Sequence, residues 1–111
     1  MTSPAQAKGD RAEREIVSLL RSLSGWPIER RYGAGRSQDS GDLVGLPSCC
    51  AQVKDYRDPL RAQRDALLVL PTQQLVSGCD YGVAFIRHRG GRWVAVMTPE
   101  QFVTLLREAT G

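Results

Sequence analysis

The sequence predicts a single α/β domain over residues 1–111, with a central mixed β-sheet of about five strands flanked by helices in the order α–β–β–β–α–β–β–α. Three observations lead there. A chain of 111 residues is too short for two independent cores. Helical spacing of apolar residues alternates with short β-branched runs along the chain. No repeat, low-complexity tract or linker divides it, so helices and strands are expected to share one layered core.

Taken in order, "MTSPAQA" is small and polar, and residues 1–6 are expected to form a flexible end. From Ala5 to Leu23 the residues Ala12, Ile16, Leu19, Leu20 and Leu23 recur at three- and four-residue steps, which predicts an amphipathic helix ended by Gly25. "WPIERRY" reads as a short strand and "GAGRSQDSGD" as a loop of turn residues. The runs "DLVGL" and "CCAQVKDY", separated by Pro47 and Ser48, predict a hairpin. "RDPLRAQRDALLVLPTQQLVSG" is helical, and Pro71 predicts one bent helix or two short ones. "YGVAFIRH" and "RWVAVMT" are strands around the turn "RGG". "TPEQFVTLLREA" starts a last helix with a Thr N-cap and a Pro at the first helical position.

The longest apolar run, "ALLVL", cannot span a bilayer, and the N-terminus lacks a signal-peptide core, so a cytoplasmic protein without a membrane partner is expected. Three cysteines give no disulfide framework. With His88 they number four possible zinc ligands, but the spacing of a structural zinc site is missing, and reduced thiols are expected. The net charge of +3 is modest but local, with arginines clustered beside glycines in "ERRYGAGRS" and "IRHRGGR". Such patches suit a phosphate backbone, although a solvated surface on a mildly basic protein accounts for them too.

The chemistry sits in "GDLVGLPSCCAQVKD", residues 41–55. Side chains two apart on a strand share a face, so Gln52 and Lys54 point together and Val53 points away from them. Asp42 heads the preceding run, and hairpin pairing can bring it to the strand end that carries Gln52 and Lys54. A carboxylate and an amide oxygen both suit Mg²⁺, while an ammonium can orient a water and offset charge building on a phosphate. The same spacing also fits a polar hairpin with a surface lysine. Glu13, beside Ala12 at the edge of the apolar stripe, can lean over the sheet; the plainer alternative is a solvated helix glutamate.

Lys8-Gly9 followed by Glu13-Arg14, an Arg before a Gly-rich loop, "DLV" and then a strand ending in Val53-Lys54 resemble the archaeal-type Holliday junction resolvases of the PD-(D/E)xK nuclease superfamily, whose similar small members include phage and actinobacterial ones. The resemblance runs from about Lys8 to Lys54 and continues loosely to the C-terminus. It implies a restriction-endonuclease-like fold and a Mg²⁺-dependent endonuclease that hydrolyses phosphodiesters of four-way junctions during recombination and repair, with Mn²⁺ as a possible substitute. It further implies Glu13 as the helix acid, Asp42 as the principal metal ligand, the Val53 carbonyl in the metal shell and Lys54 as the residue positioning the nucleophile. Arg31 matches a basic residue that holds DNA phosphate and Ser37 or Ser40 a contact near the scissile region, while Lys8, Arg14, Arg30 and Arg36 are expected to join them as DNA contacts. Two symmetric cuts by one 12 kDa domain imply a two-fold homodimer.

Gln52 departs from the family, which usually has Glu there. The amide keeps a coordinating oxygen but loses a negative charge and cannot accept a proton from water. Asp39 is a fallback acid, whereas Asp55 points away from Lys54 and is excluded. Arg57, Arg61 and Arg64 after the strand are expected, with the first arginine cluster, to line a basic surface around the site. The dimer surface is sought on the apolar side of "ALLVLPTQQLV" or at Phe85 and Trp93. Two alternatives remain: a related nuclease for other branched or single-stranded DNA, and a non-catalytic junction-binding module.

Overall fold

The computed structural model describes residues 4–31 and 42–111, apart from the side chains of residues 5 and 6. The elements follow the predicted order: α1 (Pro4–Ser24), β1 (Glu29–Arg30), β2 (Leu43–Val44), β3 (Cys49–Lys54), α2 (Pro59–Ser77), β4 (Tyr81–His88), β5 (Arg92–Val96) and α3 (Pro99–Thr110). Residues 4–6, expected as part of a flexible end, already belong to α1. The helix ends at Gly25, whose φ of 75° suits only glycine well and whose N–H donates to the Arg21 carbonyl at 2.8 Å.

The strands form two small sheets rather than one continuous sheet of five. β1 pairs antiparallel with β2, and β3 pairs parallel with β4, which pairs antiparallel with β5. The expected hairpin between β2 and β3 is not a ladder. Asp42 N–H donates to the Ala51 carbonyl at 2.7 Å, and one residue pair further the Asp42 carboxylate itself takes the N–H of Val53. A side chain thus stands where backbone pairing would continue, and the two sheets part there.

Helices cover both faces of the three-stranded sheet. Ala12, Ile16 and Val17 of α1 pack with Ile28, Leu43, Ala51, Val53, Val83 and Phe85. Leu19 and Leu23, expected in the stripe, are exposed, because the sheet meets the helix on its Ala12–Ile16–Val17 side. On the other face Ala62, Ala66 and Leu70 of α2 pack with Cys50, Ala84 and Ile86. Small residues at four-residue steps let that helix lie close to the strands.

Pro71 does not divide α2, which runs unbroken through it; Leu70 and Gln73 on either side are buried and hold the segment against its neighbours. Asp58 caps its start, with Oδ1 accepting from Leu60 N–H at 3.1 Å and Arg61 N–H at 3.4 Å. Asp58→Ala is expected to cost about 1 kcal/mol in a urea unfolding curve. Phe85, considered for a dimer surface, is core at 8% exposure, whereas Leu68 and Leu75 of α2 are open to solvent. Trp93 is half-buried, and its indole N–H donates to Glu15 at 2.8 Å. Among the described residues no helix is long and apolar enough to cross a membrane.

Candidate active site at the break between the sheets

Asp42 lies at the seam. Its backbone carbonyl accepts from Arg31 N–H at 2.8 Å, its N–H reaches β3, and its Oδ2 accepts from Val53 N–H at 2.7 Å. On a strand the N–H and C=O of one residue point to the same side, so the Val53 carbonyl also faces the edge that Asp42 occupies. The carboxylate is therefore set within the plane of the strands, beside the Gln52–Val53–Lys54 segment.

Glu13 approaches from α1. Burial first, and the Asp42 charge second, push its carboxyl above the usual glutamate range; Arg30 pulls it back and Asp10 adds a smaller upward push. Arg30 bridges both helix acids, at 2.7 Å from Asp10 Oδ1 and 3.0 Å from Glu13 Oε1. Ionising Glu13 is thus easier in the unfolded chain than in the folded one. The cost to stability is absent below the ordinary glutamate range and complete above the raised value. Asp10, inside the motif that contains Glu13, was not singled out from sequence; its position three residues before Glu13, on one helix face, was the available signal.

Gln52 and Lys54 leave β3 on the face shared with Cys50, opposite Ala51 and Val53, which pack under α1. Gln52 is 3% exposed, but the buried side-chain amide that lacks a partner is that of Gln73 on α2, whose Nε2 makes no hydrogen bond among the described residues while its Oε1 accepts from Cys50 Sγ at 3.8 Å. An unpaired amide N–H at that depth costs roughly 1–3 kcal/mol. The Lys54 ammonium makes no ion pair among the described residues and lies 5.7 Å from the Tyr56 ring centroid. The structure therefore brings together Glu13, Arg30 and Asp42, and sets Gln52 and Lys54 on the far side of the strand that Asp42 borders. Asp55, excluded from the site, does point away from Lys54, forming an ion pair with Lys8 of α1 at 3.8 Å.

The basic residues separate into groups. Arg30 is committed to the two acids. Arg31 is half-buried, and its buried Nε has no hydrogen-bond partner. Arg14 lines a concavity of about 440 Å³ with Arg21 and Glu29. Arg57, Arg61 and Arg64 are exposed, Arg61 standing 4.0 Å from Asp65. Arg36, Ser37, Asp39 and Ser40 lie outside the described residues.

Among the described residues no three His, Cys, Asp or Glu side chains form a ready metal cage. Glu13 and Asp42 supply two carboxylates, and a dication there needs Gln52 and backbone oxygen as well. The three cysteines form no disulfide, and burial pushes the Cys49 thiol up to about 11, which keeps it protonated and unreactive near neutrality. No protein-family model, no curated protein and no solved structure matches the chain. The case for a function therefore stands on this geometry and chemistry.

Proposed function

We propose that the protein is a Mg²⁺-dependent, structure-selective DNA endonuclease of the PD-(D/E)xK type, acting on four-way junctions as a homodimer, with its five strands forming one restriction-endonuclease-like sheet that opens at Asp42. The observation that carries this reading is the placing of Asp42: a carboxylate set into a strand edge, tied to Val53 N–H and close enough to raise the Glu13 pKa. A carboxylate whose charge raises the proton affinity of Glu13, with the buried Gln52 on the strand that Asp42 borders, fits a hard dication that prefers oxygen.

Asp42, Glu13, the Gln52 amide oxygen and the Val53 carbonyl would hold that ion. Bound there, Mg²⁺ supplies Lewis acidity toward a phosphoryl oxygen and a lowered pKa for a coordinated water. Lys54, without an acidic partner among the described residues, can turn from Tyr56 toward the strand edge, where its ammonium orients the attacking water and balances charge growing on the phosphoryl oxygens. Arg31, half-buried and bound through its backbone N–H to the Asp42 carbonyl, would hold a neighbouring phosphate. Gln52 orients but takes no proton, so deprotonation of the water falls to solvent or to Glu13. Gln52→Glu is accordingly expected to lower the Mg²⁺ concentration for half-maximal cleavage by about tenfold, since a full charge replaces a dipole at the ion. An unchanged metal dependence would remove Gln52 from the ligand set.

One observation favours a second reading, a junction-binding module without turnover. Arg30 already neutralises Glu13 and Asp10, and with Gln52 uncharged the site attracts a dication less strongly. A gel comparison of a labelled four-way junction and a linear duplex, with and without Mg²⁺, separates the two. The nuclease nicks the junction in Mg²⁺ and Lys54→Ala does not; a binding module shifts the junction and leaves it intact in both forms.

A further inference from the structure

Two open concavities meet on the side of α1 away from Glu13. One, of about 220 Å³, includes Lys8, Asp55, Arg57, Arg87 and Arg89; the other, of about 390 Å³, includes Lys8, Arg11, Glu15, Asp55 and Arg87. They share Lys8, Asp55 and Arg87, so they form one trough that starts at the residue following Lys54. Its five cations face two carboxylates, and this excess equals the net charge of +3 of the whole chain.

The carboxylates are already engaged. Asp55 pairs with Lys8 at 3.8 Å, and Glu15 holds Arg87 at 3.0 Å while accepting the Trp93 indole N–H at 2.8 Å. Arg87 is thereby fixed as a floor. The turn after β4 passes close above it: Gly90 and Gly91 have φ of 77° and 75°, and a Cβ on Gly91 would meet Arg87 Nη2 at 3.3 Å. That turn sets Arg89 on the rim. Arg11, Arg57 and Arg89 make no ion pair among the described residues, leaving three guanidinium forks for an outside anion. The first N–H groups of α2 are not that anion's site, because Asp58 occupies them.

We propose that this trough is a phosphate track for a nucleic-acid strand, carrying successive backbone phosphates away from the scissile position, with Arg11, Arg87 and Arg89 joining Lys8 and Arg57 as contacts. The continuity with Lys54 rests on the nuclease reading above; the track itself does not. Guanidinium forks match phosphate oxygens bidentately, and an elongated trough suits a chain of phosphates better than a single anion.

The test is metal-free binding of a fluorescent DNA junction, followed by anisotropy over a NaCl series, so that loss of cleavage cannot affect it. Arg57→Ala/Arg89→Ala is expected to weaken binding on the order of tenfold or more near 0.1 M salt and to reduce the slope of log K against log [NaCl] by roughly 2. Arg107→Ala, on α3, should leave the slope as it is. An unchanged slope in the double variant, an equal loss in Arg107→Ala, or displacement of DNA by polyglutamate as effective as by unlabelled DNA would overturn the proposal. If wild type binds with the expected slope yet never cleaves in Mg²⁺, the nuclease reading fails and the track stands.

Discussion

Asp42→Asn should reduce the Mg²⁺-dependent cleavage rate by roughly 10²–10³-fold while leaving the fold and metal-free junction binding nearly intact. The substitution is selective for physical reasons. Asparagine keeps a side-chain oxygen that can accept the Val53 N–H, so the bond that closes the seam between β2 and β3 can persist. What disappears is the negative charge. Its loss also removes the second-largest cause of the raised Glu13 pKa, so Glu13 should titrate closer to the ordinary glutamate range in the variant, although burial still holds it up. A carboxyl titration by NMR reads this without any activity. Single-turnover cleavage at saturating enzyme reads the rate. A variant that cleaves like wild type would mean that Asp42 is there for the seam alone.

Gly45→Ala is expected to be the most damaging small substitution in the described chain. Gly45 has φ of 97°, where a side chain is strained, and a Cβ would stand 2.6 Å from the Pro27 carbonyl oxygen and 2.9 Å from Ile28 Cα. Backbone atoms cannot swing aside as a side-chain tip can. Ile28 is fully buried under α1, so the clash would have to move β2 away from β1. Strain and overpacking together should cost roughly 2–5 kcal/mol, or about 10–20 °C in thermal unfolding for a domain of this size. Because Asp42 directly precedes β2, cleavage should fall as well, even below the melting temperature. Gly25→Ala is the control: its φ is also positive, but nothing lies within 4 Å of the added Cβ, and a loss of only about 1 kcal/mol is expected.

The order of elements was legible because each has a local cause. Thr98 and Gly25 mark helix ends through hydrogen bonds that the sequence announces, and "RGG" marks a turn through backbone freedom. The sheet was less legible. Strand pairing depends on which edges meet, and a carboxylate that replaces a ladder partner, as Asp42 does, looks in sequence like any residue at a strand start. Parity on β3 correctly set Gln52 and Lys54 apart from Val53 and Asp55. It did not reveal that Glu13 would meet Asp42 from the opposite side, with Arg30 between it and Asp10. Arg30 reads in sequence as a phosphate contact because a cation in a basic cluster carries no mark of an acidic partner twenty residues earlier in the chain. Arg87 was passed over for the same reason, since Glu15, which fixes it, lies 72 residues away.

The most direct measurement is where a paramagnetic dication settles. Mn²⁺ added in substoichiometric amounts to isotopically labelled protein should first broaden the backbone amide signals of Glu13, Asp42, Val53 and Lys54, and the same addition to Asp42→Asn should leave them sharp. Broadening that begins elsewhere on the surface, or that survives the substitution unchanged, would show that these side chains do not gather around a metal.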